Sequence, residues 1–154
     1  MTSEQDRRRF TEDVSRVFEA MGFPPMAGRV WAALLVSDQP QLSAADLQEQ
    51  IGASGGSIST ALATLNQLGI IERVWVPGDR RSYYAAPTSA LDRLLQRRAE
   101  ALTLMVQLAE RGVETFSEVE LAAERLTYLR DLYAWFDREY DILLERWRDE
   151  QQKP

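Results

Sequence analysis

Residues 43–86 read SAADLQEQIGASGGSISTALATLNQLGIIERVWVPGDRRSYYAA, and they contain two short helical segments that each end at a glycine. The first segment begins with Ser43, and Asp46 follows at the spacing of a capping box. The second begins at Ser54, a residue type that accepts a backbone N–H bond at a helix start. Together they predict a helix-turn-helix.

The same stretch changes its periodicity after the second helix. Residues 70–76 are rich in β-branched and aromatic side chains, Pro77-Gly78-Asp79 is a turn signal, and residues 82–86 offer a returning strand. A β-hairpin directly after a helix-turn-helix is the element order of a winged helix. We therefore predict a mainly α fold with a small β-hairpin. Residues 22–87 would form a winged helix-turn-helix domain, a type of domain that commonly binds DNA.

Helices are predicted on both sides of this domain. Residues 1–21 show helical spacing of apolar side chains, and we expect this N-terminal helix to join a dimerisation region. Residues 88–150 look helical throughout, with one interruption around Gly112, and form the expected helical dimerisation region. The last four residues, 151–154, are expected to be a disordered tail.

The final helix carries the strongest periodic signal in the chain. Extending over residues 116–150, it would be about 50 Å long, longer than a compact domain of this size. Its apolar stripe needs a partner, and a symmetric dimer is the expected solution. A monomeric bundle with a bent helix is the alternative. The predicted dimerisation residues are Leu126, Leu129, Tyr133, Phe136, Tyr140, Leu143 and Trp147.

Composition excludes several function classes. The 154 residues include 24 Asp and Glu against 18 Lys and Arg, and neither histidine nor cysteine. Thiolate or serine–histidine catalysis is therefore excluded, and no metal site or cofactor is expected. The longest apolar run covers residues 30–36, far below the ~20 residues of a membrane span. We expect a cytoplasmic protein that is not an enzyme and has no membrane partner.

The ordered motifs resemble the MarR superfamily of bacterial winged-helix regulators, most closely its GbsR-like branch. The resemblance covers a little under half of the chain. It rests on these pieces: GFPPMAGR at 22–29, SAADL at 43–47, ASGGSIST at 53–60, LGIIER at 68–73, PGDRR at 77–81 and the Tyr83-Tyr84 pair.

The resemblance implies a homodimeric, sequence-specific regulator of double-stranded DNA, which we expect to be a repressor. Residues 54–68 would be its recognition helix, and Asp79, Arg80 and Arg81 would match the wing tip. Family members often carry basic residues in this helix, whereas residues 54–68 contain no Lys or Arg. In this superfamily an effector often changes the distance between the two DNA-binding domains of the dimer.

The residue chemistry suggests how such a helix could still bind DNA. Small residues at its N-terminus let backbone N–H groups approach a phosphate, hydroxyls can donate to phosphates or bases, and wing arginines suit a narrow minor groove. The expected DNA-binding residues are Ser54, Gly55, Gly56, Ser57, Ser59, Thr60, Thr64, Arg73, Arg80 and Arg81.

Two questions stay open at this point. The acidic balance and the uncharged helix also fit a winged-helix module that docks protein instead of DNA. The four tryptophans, five tyrosines and five phenylalanines could line a pocket for a small-molecule effector, although aromatics at helical spacing are more often core.

Overall fold

The computed structural model describes residues 4–151, which form six helices and three short strands. The chain divides between residues 92 and 93 into two compact units. The elements in chain order are α1 (Glu4–Ala20), α2 (Pro25–Leu35), β1 (Leu42–Ser43), α3 (Ala44–Ile51), α4 (Gly55–Leu68), β2 (Glu72–Val74), β3 (Tyr83–Ala85), α5 (Thr88–Thr115) and α6 (Glu120–Gln151).

The start of α3 is fixed by the predicted capping box. Ser43 Oγ accepts a bond from the Asp46 backbone N–H at 3.2 Å, and the Asp46 carboxylate accepts one from the Ser43 N–H at 2.8 Å. A further bond from the Ser43 hydroxyl to this carboxylate holds the pKa of Asp46 below its usual range. Gly52 ends the helix in the left-handed region, with φ at 70°.

The helix α4 also begins and ends as predicted. Ser54 Oγ accepts from the Ser57 N–H at 3.2 Å, and Gly69 ends the helix at a φ of 72°. Its buried face packs against α2 and α3. That face consists of Ile58, Ala61, Leu62 and Leu65. Burying this face fixes which side of α4 points to solvent.

The sheet contains a strand that the sequence did not indicate. The strand order is β1-β3-β2, with both pairs antiparallel, so β3 lies in the centre. In the register, Tyr84 lies opposite Leu42 on one side and Arg73 on the other. The two-residue β1 therefore ties the wing to the start of the helix-turn-helix. The two hairpin strands are three residues each, shorter than predicted.

The helix α1 packs along α2 within the first unit. The two backbones meet closely at Gly28, where an added Cβ would lie 2.8 Å from the Ser15 Cα. Arg7 donates to the Val36 carbonyl at 2.9 Å and pairs with Asp38 at 2.8 Å, which fastens α1 to the end of α2. Arg7 is thus a structural contact, while a role of α1 in a dimer stays a prediction.

The second unit is built on the antiparallel pair of α5 and α6. Thr103 Oγ1 donates to the Asp137 carboxylate at 2.7 Å, and a Cβ on Gly112 would lie 3.0 Å from Leu126 Cδ2. The predicted single interruption of this region is present but lies later than Gly112, because α5 continues to Thr115 and the break covers residues 116–119. Glycine serves here as the point of close helix approach and not as a helix end.

The ends of the predicted regions also differ in detail. The helix α6 runs from Glu120 to Gln151, so Gln151 is helical and is not part of a disordered tail. Residues 152–154 of that predicted tail lie outside the described residues. The first turn of α5 falls in the first unit, with Ala90 fully buried, so the unit boundary lies a few residues after the predicted one. Within residues 4–151, no helix is long and apolar enough to cross a membrane.

Candidate nucleic-acid interface

The outward face of α4 is neutral, small and polar. No charged residue occurs between Gln50 and Ile71, so α4 itself presents no ionic group. Thr64 is half-buried, and the other predicted contacts on this helix are exposed. The exposed ones are Ser54, Gly55, Gly56, Ser57, Ser59 and Thr60. The structure therefore brings the predicted helix residues together on one accessible surface.

The first turn of α4 is open to an approaching group. A Cβ on Gly56 would meet nothing within 4 Å in the described part of the chain. A Cβ on Gly55 would lie 3.2 Å from the end of the Gln48 side chain. Packing within the protein therefore does not explain why position 56 lacks a side chain. Of the N–H groups in this first turn, that of Ser57 is bonded to Ser54 Oγ, whereas those of Gly55 and Gly56 have no carbonyl partner within the helix. These two can receive an anion such as a phosphate oxygen.

Two of the predicted hydroxyl donors are already used inside the helix. Thr60 Oγ1 donates to the Gly56 carbonyl at 3.0 Å, and Thr64 Oγ1 donates to the Thr60 carbonyl at 3.1 Å. In this conformation both threonines offer a methyl group and acceptor lone pairs to a ligand, and not a hydrogen. Ser59 differs, because its exposed hydroxyl has no hydrogen-bond partner among residues 4–151.

The wing tip is a closed network around Asp79. The turn has Gly78 at a φ of 82° and a bond from the Asp79 N–H to the Val76 carbonyl at 3.1 Å. The Arg81 side chain donates to the Asp79 carboxylate from Nη2 at 2.7 Å and from Nε at 3.0 and 3.2 Å, and the Arg81 backbone N–H donates at 2.9 Å. The Tyr83 hydroxyl adds a bond of 2.7 Å, and the Arg81 guanidinium lies 5.2 Å from the Tyr83 ring centre.

These bonds set the charge states of the wing tip. The bonds from Arg81, followed by the one from Tyr83, hold the pKa of the Asp79 carboxyl far below its usual range. Donation to this carboxylate raises the pKa of the Tyr83 hydroxyl. Asp79 is therefore ionised and Tyr83 neutral at any physiological pH.

The three wing arginines do not have equal freedom. Arg81 is held by Asp79, and Arg73 donates to Ser82 Oγ at 2.6 Å. Arg80 is exposed, and it makes no ion pair or hydrogen bond with any residue that the structure describes. It is the wing cation that can move to a phosphate without first breaking an internal bond.

The predicted dimerisation residues fall into two groups in the second unit. Leu126, Leu129, Tyr133 and Tyr140 are half-buried, and Leu126 reaches Gly112 of α5. Phe136, Leu143 and Trp147 remain exposed, and Phe136 keeps 46% of its surface accessible. A neighbouring stripe of α6 is equally exposed, at heptad-like spacing. It contains Leu121, Tyr128, Leu132, Trp135 and Ile142.

One exposed wing residue was absent from the predicted site. Trp75 follows β2 directly and keeps 76% of its surface accessible. The β-branched and aromatic run at 70–76 predicted a strand, but that pattern does not tell which side chains the short strand leaves in solvent. Strand alternation with Arg73 was the signal that could have found it.

Comparison with known proteins gives consistent matches over nearly the whole chain. The MarR family model matches residues 21–82, and the model for MmpR5-like MarR family transcriptional regulators matches residues 89–150. The HTH-type transcriptional regulator MmpR5 of Mycobacterium tuberculosis is 32% identical over 96% of this chain and 90% of its own length.

A solved structure shares the fold. A crystal structure described as that of a transcriptional regulator covers 94% of this chain and 99% of its own, with a TM-score of 0.80 and 32% identity. The winged-helix fold and the superfamily resemblance are therefore confirmed, while the matches do not specify the GbsR-like branch. The chain belongs to the MarR family of transcriptional regulators.

Proposed function

We propose that this chain is a homodimeric repressor that binds double-stranded DNA through the first turn of α4 and the wing. The observation that carries the proposal is the open, uncharged first turn of α4 beside a hairpin with a free Arg80. The helix supplies backbone donors that fit a phosphate at the edge of the major groove. Arg80 supplies the cation for the narrow minor groove next to it.

The proposed DNA-binding surface has few cationic side chains, so the electrostatic contribution to DNA affinity can be assigned to individual residues. Only Arg73, Arg80 and Arg81 lie on the wing, and α4 adds none. With a handful of phosphate contacts per protomer, a dimer should lose about 10³-fold in affinity between roughly 50 and 200 mM salt. Fluorescence anisotropy with duplex DNA from the region upstream of the chain's own gene measures this slope.

Two variants that each remove one positive charge test the wing contact. Arg80→Ala should reduce the salt slope, whereas Arg9→Ala, an equal charge change on the exposed face of α1, should leave it unchanged. Equal slopes for wild type and Arg80→Ala would show that the wing is not on the DNA.

Dimerisation is supported by the exposed apolar surface of α6. The residues from Leu121 to Ile142 named above, with Leu104 and Leu108 of α5, form more exposed apolar surface than monomeric soluble proteins usually carry. An isologous contact between two copies would cover this surface. Binding to inverted half-sites in adjacent major grooves would require the two α4 helices to lie about one helical turn of DNA apart, ~34 Å.

Sedimentation at low micromolar concentration tests the dimer. Wild type should sediment as a dimer, and Trp135→Glu should shift it to a monomer because the exposed indole lies on the proposed contact. Arg148→Ala makes the same change of one charge unit at an exposed residue of the same helix that lies neither three nor four residues from a member of that stripe, and it serves as the control. A monomeric wild type would remove the dimer from the proposal.

A small-molecule effector would act on the distance between the two α4 helices. It could regulate DNA binding only by binding more tightly to one spacing of the two α4 helices than to another. The test is the affinity for the upstream duplex with and without a panel of aromatic and cationic metabolites, where a change in affinity is the expected result and a flat response would argue against an effector.

The second candidate is a winged-helix module that docks protein, and the neutral face of α4 favours it. Random duplex DNA at low salt distinguishes the two functions. A DNA-binding regulator should bind it weakly but measurably, because phosphate contacts do not depend on sequence. A protein-docking module should show no binding.

A further inference from the structure

Trp75 is the most exposed of the large apolar residues that the structure describes. Its side chain keeps 76% of its surface accessible, while Val74 and Val76 on either side are half-buried. This alternation places Trp75 on the same outward face as Arg73. An indole held in water on a short hairpin contributes nothing to the core, but a singly exposed apolar residue is common on protein surfaces, so its significance depends on the side chains that surround it.

The surroundings of Trp75 are cationic. Together with Arg73, Arg80 and Arg81 it lines a shallow groove of about 450 Å³ along one side of the wing. The one acidic residue in the groove, among those that the structure describes, is Asp79, and its charge is paired with Arg81. The groove therefore combines one large apolar surface with an excess of positive charge.

That combination fits the edge of a DNA backbone better than it fits a protein or a membrane. Deoxyribose rings present apolar surface between successive phosphates, so a ligand with alternating apolar and anionic groups would match the indole and the arginines together. Trp75 lies before the Pro77-Gly78 turn, on the flank of the hairpin and not at its tip. A tip that enters the minor groove therefore brings this flank against the sugar wall.

We propose that Trp75 is a DNA contact that packs its indole against the deoxyribose edge of the minor groove beside Arg80. This inference rests on the proposed DNA-binding function, and it adds an apolar contact to a site otherwise made of hydroxyls, backbone donors and arginines. An apolar contact releases no condensed counterions. Its removal therefore lowers affinity by the same factor at every salt concentration.

The salt titration separates this contact from an ionic one. The assay uses the full chain and the upstream duplex. Trp75→Ala should bind about tenfold more weakly than wild type at every salt concentration from roughly 50 to 200 mM, so that the slope of log affinity against log salt stays that of the wild type. Trp75→Phe retains a smaller ring and should bind more tightly than Trp75→Ala. Arg80→Ala should instead reduce the slope by about one for each phosphate that the arginine neutralises. Because Trp75 is exposed, its variants should melt at the wild-type temperature.

Tryptophan emission supplies an independent readout. Addition of the duplex should shift the emission of the wild type, because an indole in water becomes covered, and Trp75→Phe should abolish that shift. Trp31, Trp135 and Trp147 are present in both proteins and act as the internal background.

Several results would overturn the inference without touching the proposed function. Wild-type affinity for Trp75→Ala, a changed salt slope in that variant, or an emission shift that survives in Trp75→Phe would each show that the indole is not on the sugar wall. A lower sedimentation coefficient for Trp75→Ala would assign the indole to a contact between protomers. If the wild type binds no duplex at low salt, the proposed function itself fails.

Discussion

Gly56 offers the clearest separation of folding from DNA binding. A Cβ at this position would meet no other atom within 4 Å in residues 4–151, so Gly56→Ala fits the free protein. Glycine in a helix costs about 0.5–1 kcal/mol relative to alanine. The substitution should therefore raise the free energy of unfolding by up to about 1 kcal/mol, which is about 2–4 °C in melting temperature for a chain of this size.

The same methyl group should damage DNA binding. It would hold the first-turn N–H groups of α4 away from a phosphate oxygen, and a hydrogen bond to a charged group contributes about 2 kcal/mol. Removing one such bond in each protomer of a dimer amounts to about 4 kcal/mol, or roughly a thousandfold in Kd. Gly56→Leu, which extends further from the helix, should bind still more weakly.

The assay pairs melting curves with anisotropy titrations on the upstream duplex. Ala45→Gly is the matched control for stability, because Ala45 is the exposed second residue of α3 and follows a serine cap as Gly56 does. It should lower the melting temperature by about as much as Gly56→Ala raises it. Undiminished affinity in Gly56→Ala would refute the approach of this helix end to the DNA backbone.

Other consequences follow from the caps and the wing. Arg81→Ala should weaken binding to every duplex, about tenfold, because it removes a cation and leaves Asp79 unpaired, whereas Thr60→Ala should change the ranking of operator sequences in a competition gel shift. Ser43→Ala should lower the free energy of unfolding by about 1 kcal/mol in a denaturant titration. Because the pKa of Asp79 is lowered on folding, its contribution to stability is present above its unfolded pKa of about 4 and is lost as the pH falls below that value. The melting-temperature difference between wild type and Asp79→Asn should therefore shrink below about pH 4, and constancy down to about pH 2 would contradict the network. Without histidine, DNA affinity at fixed salt should stay flat between about pH 6 and 8, and a steep change there would require a titrating group other than those of the wing and α4.

Local chemistry was sufficient to predict the helix-turn-helix from the sequence. Ser43, Asp46 and Ser54 cap helices by contacts within three residues, and Gly52 and Gly69 end them through their own φ angles. Features of this kind depend on neighbours in the chain and not on the rest of the fold. The same reasoning could not find β1, because two residues show no periodicity and their pairing with β3 spans about forty residues.

Long-range packing set the limits of prediction in the second unit. A glycine such as Gly112 indicates a helix interruption when only the sequence is considered, but its role is to admit Leu126 of α6, which only the pairing of the two helices reveals. The apolar stripe of α6 was visible in the sequence, whereas the division into half-buried and exposed residues depends on where α5 lies. Tyr133 is half-buried and Trp135 is exposed, although both residues are aromatic.

In the proposed arrangement, two copies of this chain bind one DNA duplex, each through the N-terminal end of its α4 and through its wing. Hydroxyl-radical footprinting of the DNA beside its own gene tests this arrangement most directly, because the radical reports on minor-groove sugars. We expect two symmetric minor-groove protections, one for each wing, which disappear in Arg80→Ala. A single protected stretch would contradict the arrangement. The absence of any protection at a protein concentration at which the dimer is fully formed would contradict it as well.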